Sequence, residues 1–307
     1  MQKFEVTILG CSSATPTSKR NPSSQLLNLA DRYFLIDCGE GTQMQLRRYK
    51  IKFQRIAHIL ISHLHGDHYY GLMGLLSSMH LLGRTTDLHL YAPPALKEII
   101  DIQYKYSDTR LHYNLIFHPL QSSQPEMIFE DDKMTVRTII LNHRIPCTGF
   151  LFREKEKPRK ISKELISSYH ISIEQLNRIK QGYDFITKEG QSIPNEIVTG
   201  GEVPVLSYAY CSDTCFDERV IQQIKDVDLL YHEATFMNDM QNRARETFHS
   251  TTGQAATVAM KAKVKKLIIG HFSARYSDLD PLLVETKAIF PNSVLAKEGE
   301  RYSVEGI

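Results

Sequence analysis

The sequence predicts an α+β fold, a four-layer αβ/βα sandwich from which one segment projects. Short apolar runs with strand character alternate with helical stretches and hairpins, an order that argues for two mixed sheets face to face with helices outside. Five of these runs deliver a His or Asp one to three residues beyond their ends: His63, His143, Asp213, His232 and His271. Between residues 153 and 194 the chain becomes charged and poor in large apolar residues, so that stretch buries little on its own and is expected to project.

Taken in order, Phe4 to Leu9 reads as a strand, and the Ser-, Thr-, Pro- and Gly-rich stretch from Gly10 to Ser24 as a loop. Gln25 to Ala30 and Tyr33 to Ile36 read as a hairpin around Asp31-Arg32, followed by Asp37-Cys-Gly-Glu-Gly41 and a helix from Thr42 to Tyr49. Leu72 to Leu82 is strongly apolar and helical, Leu88 to Tyr91 is a strand, and Pro94 opens a helix at its first turn, where a missing N–H costs nothing. Lys133 to Leu141 is a strand that ends at Asn142-His143, and Gly149 to Phe152 continues the sheet. In the charged segment, only Ser172 to Gln181 reads as a helix, with a thin apolar face. Strands at Val203–Cys211, Val227–Tyr231 and Lys266–Ile269 deliver Asp213, His232-Glu233 and Gly270-His271. Helices are expected at Thr251–Lys263 and Pro281–Phe290.

The stretch that carries chemistry is Ile59-Leu-Ile-Ser-His-Leu-His-Gly-Asp-His68. An apolar run feeds a turn that holds His63, His65, Asp67 and His68, and neutral imidazole nitrogens with a carboxylate oxygen suit zinc. Together with His143, Asp213 and His271 they make seven potential ligands, too many for one tetrahedral zinc with an open position. Two metals sharing one carboxylate would use them all. Such pairs, about 3.5–4 Å apart, serve in-line displacement at phosphorus.

Composition excludes little but frames the rest. The 307 residues are 42% hydrophobic and 23% charged, the profile of a globular protein, and no run approaches the roughly 18 apolar residues that cross a bilayer. The opening goes straight into a strand pattern without a signal-peptide core, and five scattered cysteines lack a C-x-x-C pair. Both points favour reduced thiols in a cytoplasmic protein. A net charge of +2 gives no nucleic-acid signal overall, but six basic residues crowd the stretch from Arg153 to Lys163 against two acidic ones, a candidate phosphate-contacting patch.

H-x-H-x-D-H followed by a lone His, a lone Asp and a late His resembles the signature of the metallo-β-lactamase fold. Four further stretches narrow the likeness: Asp37-Cys-Gly-Glu-Gly-Thr-Gln, His232-Glu-Ala-Thr-Phe, His249-Ser-Thr-Thr and Gly270-His-Phe-Ser-Ala-Arg-Tyr. They closely resemble the ribonuclease Z family, endonucleases that trim the 3′ trailer of precursor tRNA. The likeness runs from Leu9-Gly10 to Phe290-Pro-Asn-Ser.

The resemblance implies a single catalytic domain over residues 1–307 with an inserted tRNA-binding arm at 153–194. It implies two zinc ions per subunit: His63, His65 and His143 on one, Asp67, His68 and His271 on the other, and Asp213 bridging. Asp67 would accept a proton from the attacking water, and His249, supported by Glu233, would protonate the departing 3′-oxygen. The tRNA would keep a 3′-hydroxyl and the trailer a 5′-phosphate. Arg275 suits a phosphate contact or a structural ion pair, and Lys157, Arg159 and Lys160 are the arm's candidate substrate contacts. Where many members carry a Gly-Pro motif in the arm, this chain has Ser172-Ile-Glu-Gln-Leu-Asn-Arg. The implied partners are precursor tRNA and a second copy of the chain, with no membrane. The competing expectation is a hydrolase of the same fold acting on small phosphodiesters.

Overall fold

The computed structural model describes residues 3–201 and 203–305. β1 (Phe4–Gly10), β2 (Ser24–Leu29) and β3 (Arg32–Ile36) form an antiparallel meander. The tight turn between β2 and β3 falls on Ala30-Asp31, one residue earlier than the sequence predicts. Both residues there have positive φ, 52° and 66°, which matches the right-handed twist of the flanking strands. After α1 (Thr42–Arg48) the sheet grows by parallel addition of β4 (Ile56–Leu60), β5 (Leu88–Ala92) and β6 (Leu115–Pro119). Parallel neighbours need crossovers, supplied by α2 (Gly66–Tyr69), α3 (Leu72–Leu81) and α4 (Ala95–Tyr106). In α3, Leu72, Leu75, Leu76 and Met79 are buried at i, i+3, i+4 and i+7, the stripe that seats a helix on a sheet.

The second sheet begins with the antiparallel β7 (Met127–Glu130), β8 (Met134–Ile140) and β9 (Thr148–Glu154). The chain then leaves the sandwich through α5 (Lys163–Tyr169), α6 (Ile173–Lys180), β10 (Phe185–Ile186), β11 (Ser192–Ile193) and α7 (Asn195–Thr199). It returns as β12 (Ser207–Cys211), α8 (Glu218–Gln223), β13 (Leu229–Glu233), α9 (Gln241–Thr247), α10 (Thr252–Lys261), β14 (Lys266–Gly270), α11 (Asp280–Lys287) and β15 (Ser293–Leu295). β16 (Arg301–Ser303) closes the first sheet beside β1. The sheets run β16-β1-β2-β3-β4-β5-β6 and β15-β14-β13-β12-β9-β8-β7.

Alternation along a strand assigns residues to opposite faces. Phe34 of β3 turns toward the second sheet and meets the ring of Phe152 edge-on at 5.4 Å. Its neighbour Leu35 belongs to the separate core cluster that includes Leu46, Leu72 and Leu75 of the covering helices. Fully buried Phe150, Tyr208, Tyr210 and Tyr231 fill the layer between the sheets.

The sequence overlooks β6 and β7. The excursion after β9 also holds more than the single helix expected there. Ile171, Ile179, Phe185 and Val198 form a small buried cluster of their own, and Ser172 caps α6 with a reciprocal Ser172–Gln175 box. Three short helices and a two-stranded hairpin thus share a cluster that none could bury alone. Among the described residues no helix is long and apolar enough to cross a membrane.

Candidate metal centre

Four strands end at one edge of the sandwich. His63 lies three residues past β4, His143 three past β8, Asp213 two past β12 and His271 one past β14. The crevice beyond carboxyl ends of strands is where such sheets gather functional groups. His232 and Glu233 differ from expectation because both lie within β13. His232 is buried with Nδ1 on its own neighbour's carbonyl at 2.7 Å and takes no part in the cluster.

His65, Asp67 and His68 come from the start of α2 rather than from a loop, with His65 as its N-cap. Glycines let this turn press against Asp37-Cys-Gly. A Cβ on Gly39 would sit 2.4 Å from the Asp67 carbonyl, and one on Gly71 would sit 2.2 Å from the Gly39 carbonyl. Two backbone bonds, Cys38 N to His68 O at 2.7 Å and Gly71 N to Cys38 O at 2.9 Å, hold the segments together.

The seven candidate ligands converge in two groups. His63, His65, His143 and Asp213 form one, and Asp67, His68 and His271 the other. Asp213 faces both. Its Oδ2 lies 3.5 Å from His63 Nε2 and 3.8 Å from His143 Nε2, while Oδ1 lies 3.3 Å from His68 Nε2 and 3.2 Å from His271 Nε2. A carboxylate that presents one oxygen to each trio is disposed to bridge.

The nitrogens facing away from the centre are already engaged. His68 Nδ1 meets Asp37 Oδ2 at 2.8 Å and His143 Nδ1 donates to the Phe248 carbonyl at 2.9 Å. His271 Nδ1 meets Thr235 Oγ1 at 3.0 Å, and His63 Nδ1 meets Ser62 Oγ at 3.0 Å. In a neutral imidazole an outward N–H leaves the other nitrogen as a lone pair. Those lone pairs point at one another: His65 Nδ1 is 3.1 Å from both His63 Nε2 and His143 Nε2. His68 Nε2 is buried without a directed hydrogen bond, although two carboxylates lie within 3.5 Å of it. Convergent lone pairs and carboxylates with an orphaned buried nitrogen are a donor set that fits divalent cations such as zinc. One contact opposes it: the Arg144 guanidinium lies 3.2 Å from His65 Nε2, where it donates, so Nδ1 serves as a ligand only when Arg144 gives way.

Electrostatics agree with this reading. Burial pushes His63 well below the usual imidazole range, and the nearby His68 charge adds to that. Burial also lowers His143. His68 goes the other way: burial opposes its charge, but Asp213, Asp67 and Asp37 together favour positive charge at its position. Burial likewise works against Asp67 and Asp213, yet the surrounding histidines hold both carboxyls far below the usual range. Asp67 Oδ2 also accepts the Ala14 N–H at 2.7 Å.

His249 lies beside the cluster, with Nδ1 3.0 Å from Glu233 Oε1. Burial disfavours its charge, but Glu233 lifts it to about 9. Glu233 is fully buried and also accepts from the backbone N–H groups of Thr214, Thr235 and Ser250. Arg275 stands apart, its guanidinium over the Phe236 ring at 5.1 Å and bonded to Ser273 Oγ. Lys157, Arg159 and Lys160 lie on the excursion: Lys157 pairs with Glu154, Arg159 donates to Asn195 Oδ1 at 2.6 Å, and Lys160 is exposed.

Sequence reasoning missed Asp37, Ser62, Tyr210 and Thr235 as members of the site. Asp37 is fully buried and accepts from Ser62 N at 2.7 Å, Ser62 Oγ at 2.9 Å and Tyr210 OH at 2.6 Å as well as contacting His68. The signal was available, since Asp37 sits one residue past β3, as the ligands sit past theirs. Asp37 and His271 both hold left-handed backbone, φ 57° and 59°, a strain that concentrates at functional sites.

The family described as "Anti-Pycsar protein Apyc1" matches residues 4–157. A ribonuclease Z of Bacteroides thetaiotaomicron is 51% identical over 298 residues, covering 97% of this chain and 94% of that protein. A ribonuclease Z of Bacteroides fragilis is also 51% identical, with 97% and 98% covered. Among solved structures, the short form of human tRNase Z aligns with a TM-score of 0.72 at 26% identity, covering 98% of this chain and 99% of that one. The metallo-β-lactamase fold protein YhfI from Bacillus subtilis shares the fold with a TM-score of 0.69 at 20% identity, covering 98% and 99%.

Proposed function

The chain belongs to the ribonuclease Z family along nearly its whole length, and its first half also falls in the Apyc1 family; from that premise we propose that it is a zinc-dependent endoribonuclease that removes the 3′ trailer from precursor tRNA. The products are a 3′-hydroxyl on the tRNA and a 5′-phosphate on the trailer. The observation that carries the reading is Asp213, with one oxygen toward each histidine group and Asp67 at the rim of the second.

In this reading His63, His65 and His143 hold one zinc, Asp67, His68 and His271 the other, and Asp213 both. The two ions would supply water acidic enough to attack at neutral pH and positive charge for the phosphoryl oxygens. Asp67, with Oδ2 anchored by Ala14 N–H, orients the attacking water and takes its proton. His249 carries a proton on the nitrogen turned away from Glu233 and gives it to the departing ribose 3′-oxygen. Glu233 accepts from Nδ1, which fixes the ring's orientation, and its charge keeps the donor doubly protonated.

Residues 153–194 serve as the tRNA-binding arm, with Lys157, Arg159 and Lys160 toward phosphates and Arg275 a phosphate contact nearer the centre. The protein works as a homodimer in which one subunit's arm holds the substrate for the other's site. Exposed Met44, Tyr70, Leu81 and Leu82, on or beside α1, α2 and α3, support an apolar dimer face. Five free cysteines, four of them buried, support a reducing, cytoplasmic location. The alternative, a phosphodiesterase for small substrates, has no use for the folded excursion.

The test is incubation of the purified zinc-loaded protein with a trailer-bearing precursor tRNA and with a small chromogenic phosphodiester. Cleavage of the precursor at the base of the trailer is expected. Turnover of only the small ester would overturn the RNA assignment.

A further inference from the structure

A cavity of about 630 Å³ opens beside the metal centre and has no part in the metal chemistry itself. Its volume suits one small-molecule-sized group. Phe216 and Phe248 line it, with Asn142, Gln241 and Arg245 around them, while Gln254 on the same wall has its side-chain oxygen taken by the Thr251 N–H. His249 also lines it, and is therefore the wall between the cavity and the candidate ligands. Phe248 is tied to the same wall: it immediately precedes His249, and its carbonyl accepts the His143 Nδ1 proton at 2.9 Å. On α9, Arg243 is paired with Glu246, whereas Arg245 has no ion pair among the described residues.

Aromatic rings, amides that both donate and accept, and an unpaired guanidinium are what an unstacked RNA nucleotide meets in a protein. We infer that this cavity receives the base of the last nucleotide of the mature tRNA, the one that bears the departing 3′-oxygen, and that Arg245 holds the phosphate on its 5′ side. The inference rests on the tRNA-processing reading and on His249 as proton donor. In an in-line displacement the attacking and departing oxygens lie on opposite sides of phosphorus. The nucleotide whose 3′-oxygen meets His249 therefore has its ribose at this wall and its base beyond it. The trailer nucleotide belongs elsewhere. Stacking tolerates every base, and the Asn142 and Gln241 amides can rotate to suit either donors or acceptors, so the cavity accepts all four bases with modest preference.

The experiment is a cycle of protein and substrate changes, read as kcat/KM on a trailer-bearing precursor. With the unaltered protein, an abasic site at the last tRNA nucleotide lowers kcat/KM about tenfold or more, the scale of one lost base–aromatic stack. Phe216→Ala causes a comparable loss on the intact precursor and no further loss on the abasic one. An abasic site at the first trailer nucleotide instead multiplies with Phe216→Ala. Arg245→Gln behaves in the same way toward a methylphosphonate in the linkage 5′ to the last tRNA nucleotide. Each variant is compared with itself on two substrates, so damage to its fold cancels. Multiplying losses at the last tRNA nucleotide, or a coupling that appears at the trailer nucleotide, would overturn the inference. A precursor that the unaltered protein leaves uncut would instead overturn the functional reading beneath it.

Discussion

Asp37→Asn keeps the shape of a buried side chain but removes its charge, and the local geometry sets the consequence for the metal centre. Four donors converge on the native carboxylate: the N–H of Ser62 on Oδ1, and Ser62 Oγ, Tyr210 OH and His68 Nδ1 on Oδ2. An amide offers one acceptor oxygen and one donor NH₂. With the oxygen toward Ser62 N–H, the NH₂ faces the other three donors; flipped, it faces the backbone N–H, which cannot turn away. The first arrangement is relieved most cheaply by moving the His68 proton from Nδ1 to Nε2, which removes the lone pair the second metal needs. The expected loss is about 10- to 100-fold in affinity for that metal, or roughly 1.4–2.7 kcal/mol. The buried groups left unpaired should also lower folding stability by about 1–3 kcal/mol. Competition with a zinc-sensitive chelating dye gives stoichiometry and affinity, and urea titration of the metal-free protein gives stability. Two zinc ions bound to the variant as tightly as to the parent would refute the argument.

Asp67→Ala should abolish precursor cleavage while tRNA binding, followed by gel shift, is largely kept; normal turnover would remove its role as proton acceptor. Removing the zinc with a chelator should abolish activity and lower the melting temperature, because a site held at about a thousand times its Kd adds roughly 4 kcal/mol; restored activity on zinc addition checks the cause. β9 and β12 are antiparallel neighbours with Arg153 opposite Ser207, so a short turn can replace residues 156–205 without breaking the sheet. That deletion should raise KM for precursor tRNA far more than for a small phosphodiester, and an equal rise for both would make the excursion structural. Away from the site, burial and then the charges of His89 and His118 lower His58 to about 4. The fold therefore prefers His58 neutral: stability is full above the unfolded pKa of about 6.5 and falls as pH drops toward 4, by about 3 kcal/mol at most. His58→Phe should flatten that limb in denaturant titrations, and an unchanged pH profile would show that His58 is not its source.

The sandwich was legible because its strands are short apolar runs bounded by turn residues, and because buried strands in both sheets leave the polar residues at their ends conspicuous. β6 and β7 escaped notice for the opposite reason. Their residues are half-buried or exposed along edge strands, as in Leu115–Pro119 and Met127–Glu130, so neither alternation nor a continuous apolar run marks them. The excursion after β9 was underread because its cluster draws single residues, Ile171, Ile179, Phe185 and Val198, from separate short elements. No window of the sequence holds enough of them to show a period.

The ligand positions were visible for a reason of chemistry: few other uses bring histidines and aspartates repeatedly to strand ends. What holds them was less visible, because an outward hydrogen bond to His68 or His271 can come from many residue types. Asp37 and Thr235 supply those bonds from distant segments, one from the end of β3 and one from just beyond β13. The two kinds of residue differ in how they constrain sequence. A ligand must be one of a few side chains with the right lone pair, whereas an orienting partner need only accept a proton at one place. Asp37 is the exception, because four donors and a left-handed backbone at φ 57° narrow the choice at that position to a short acidic side chain. It is the orienting residue that a stricter reading of strand ends would have found.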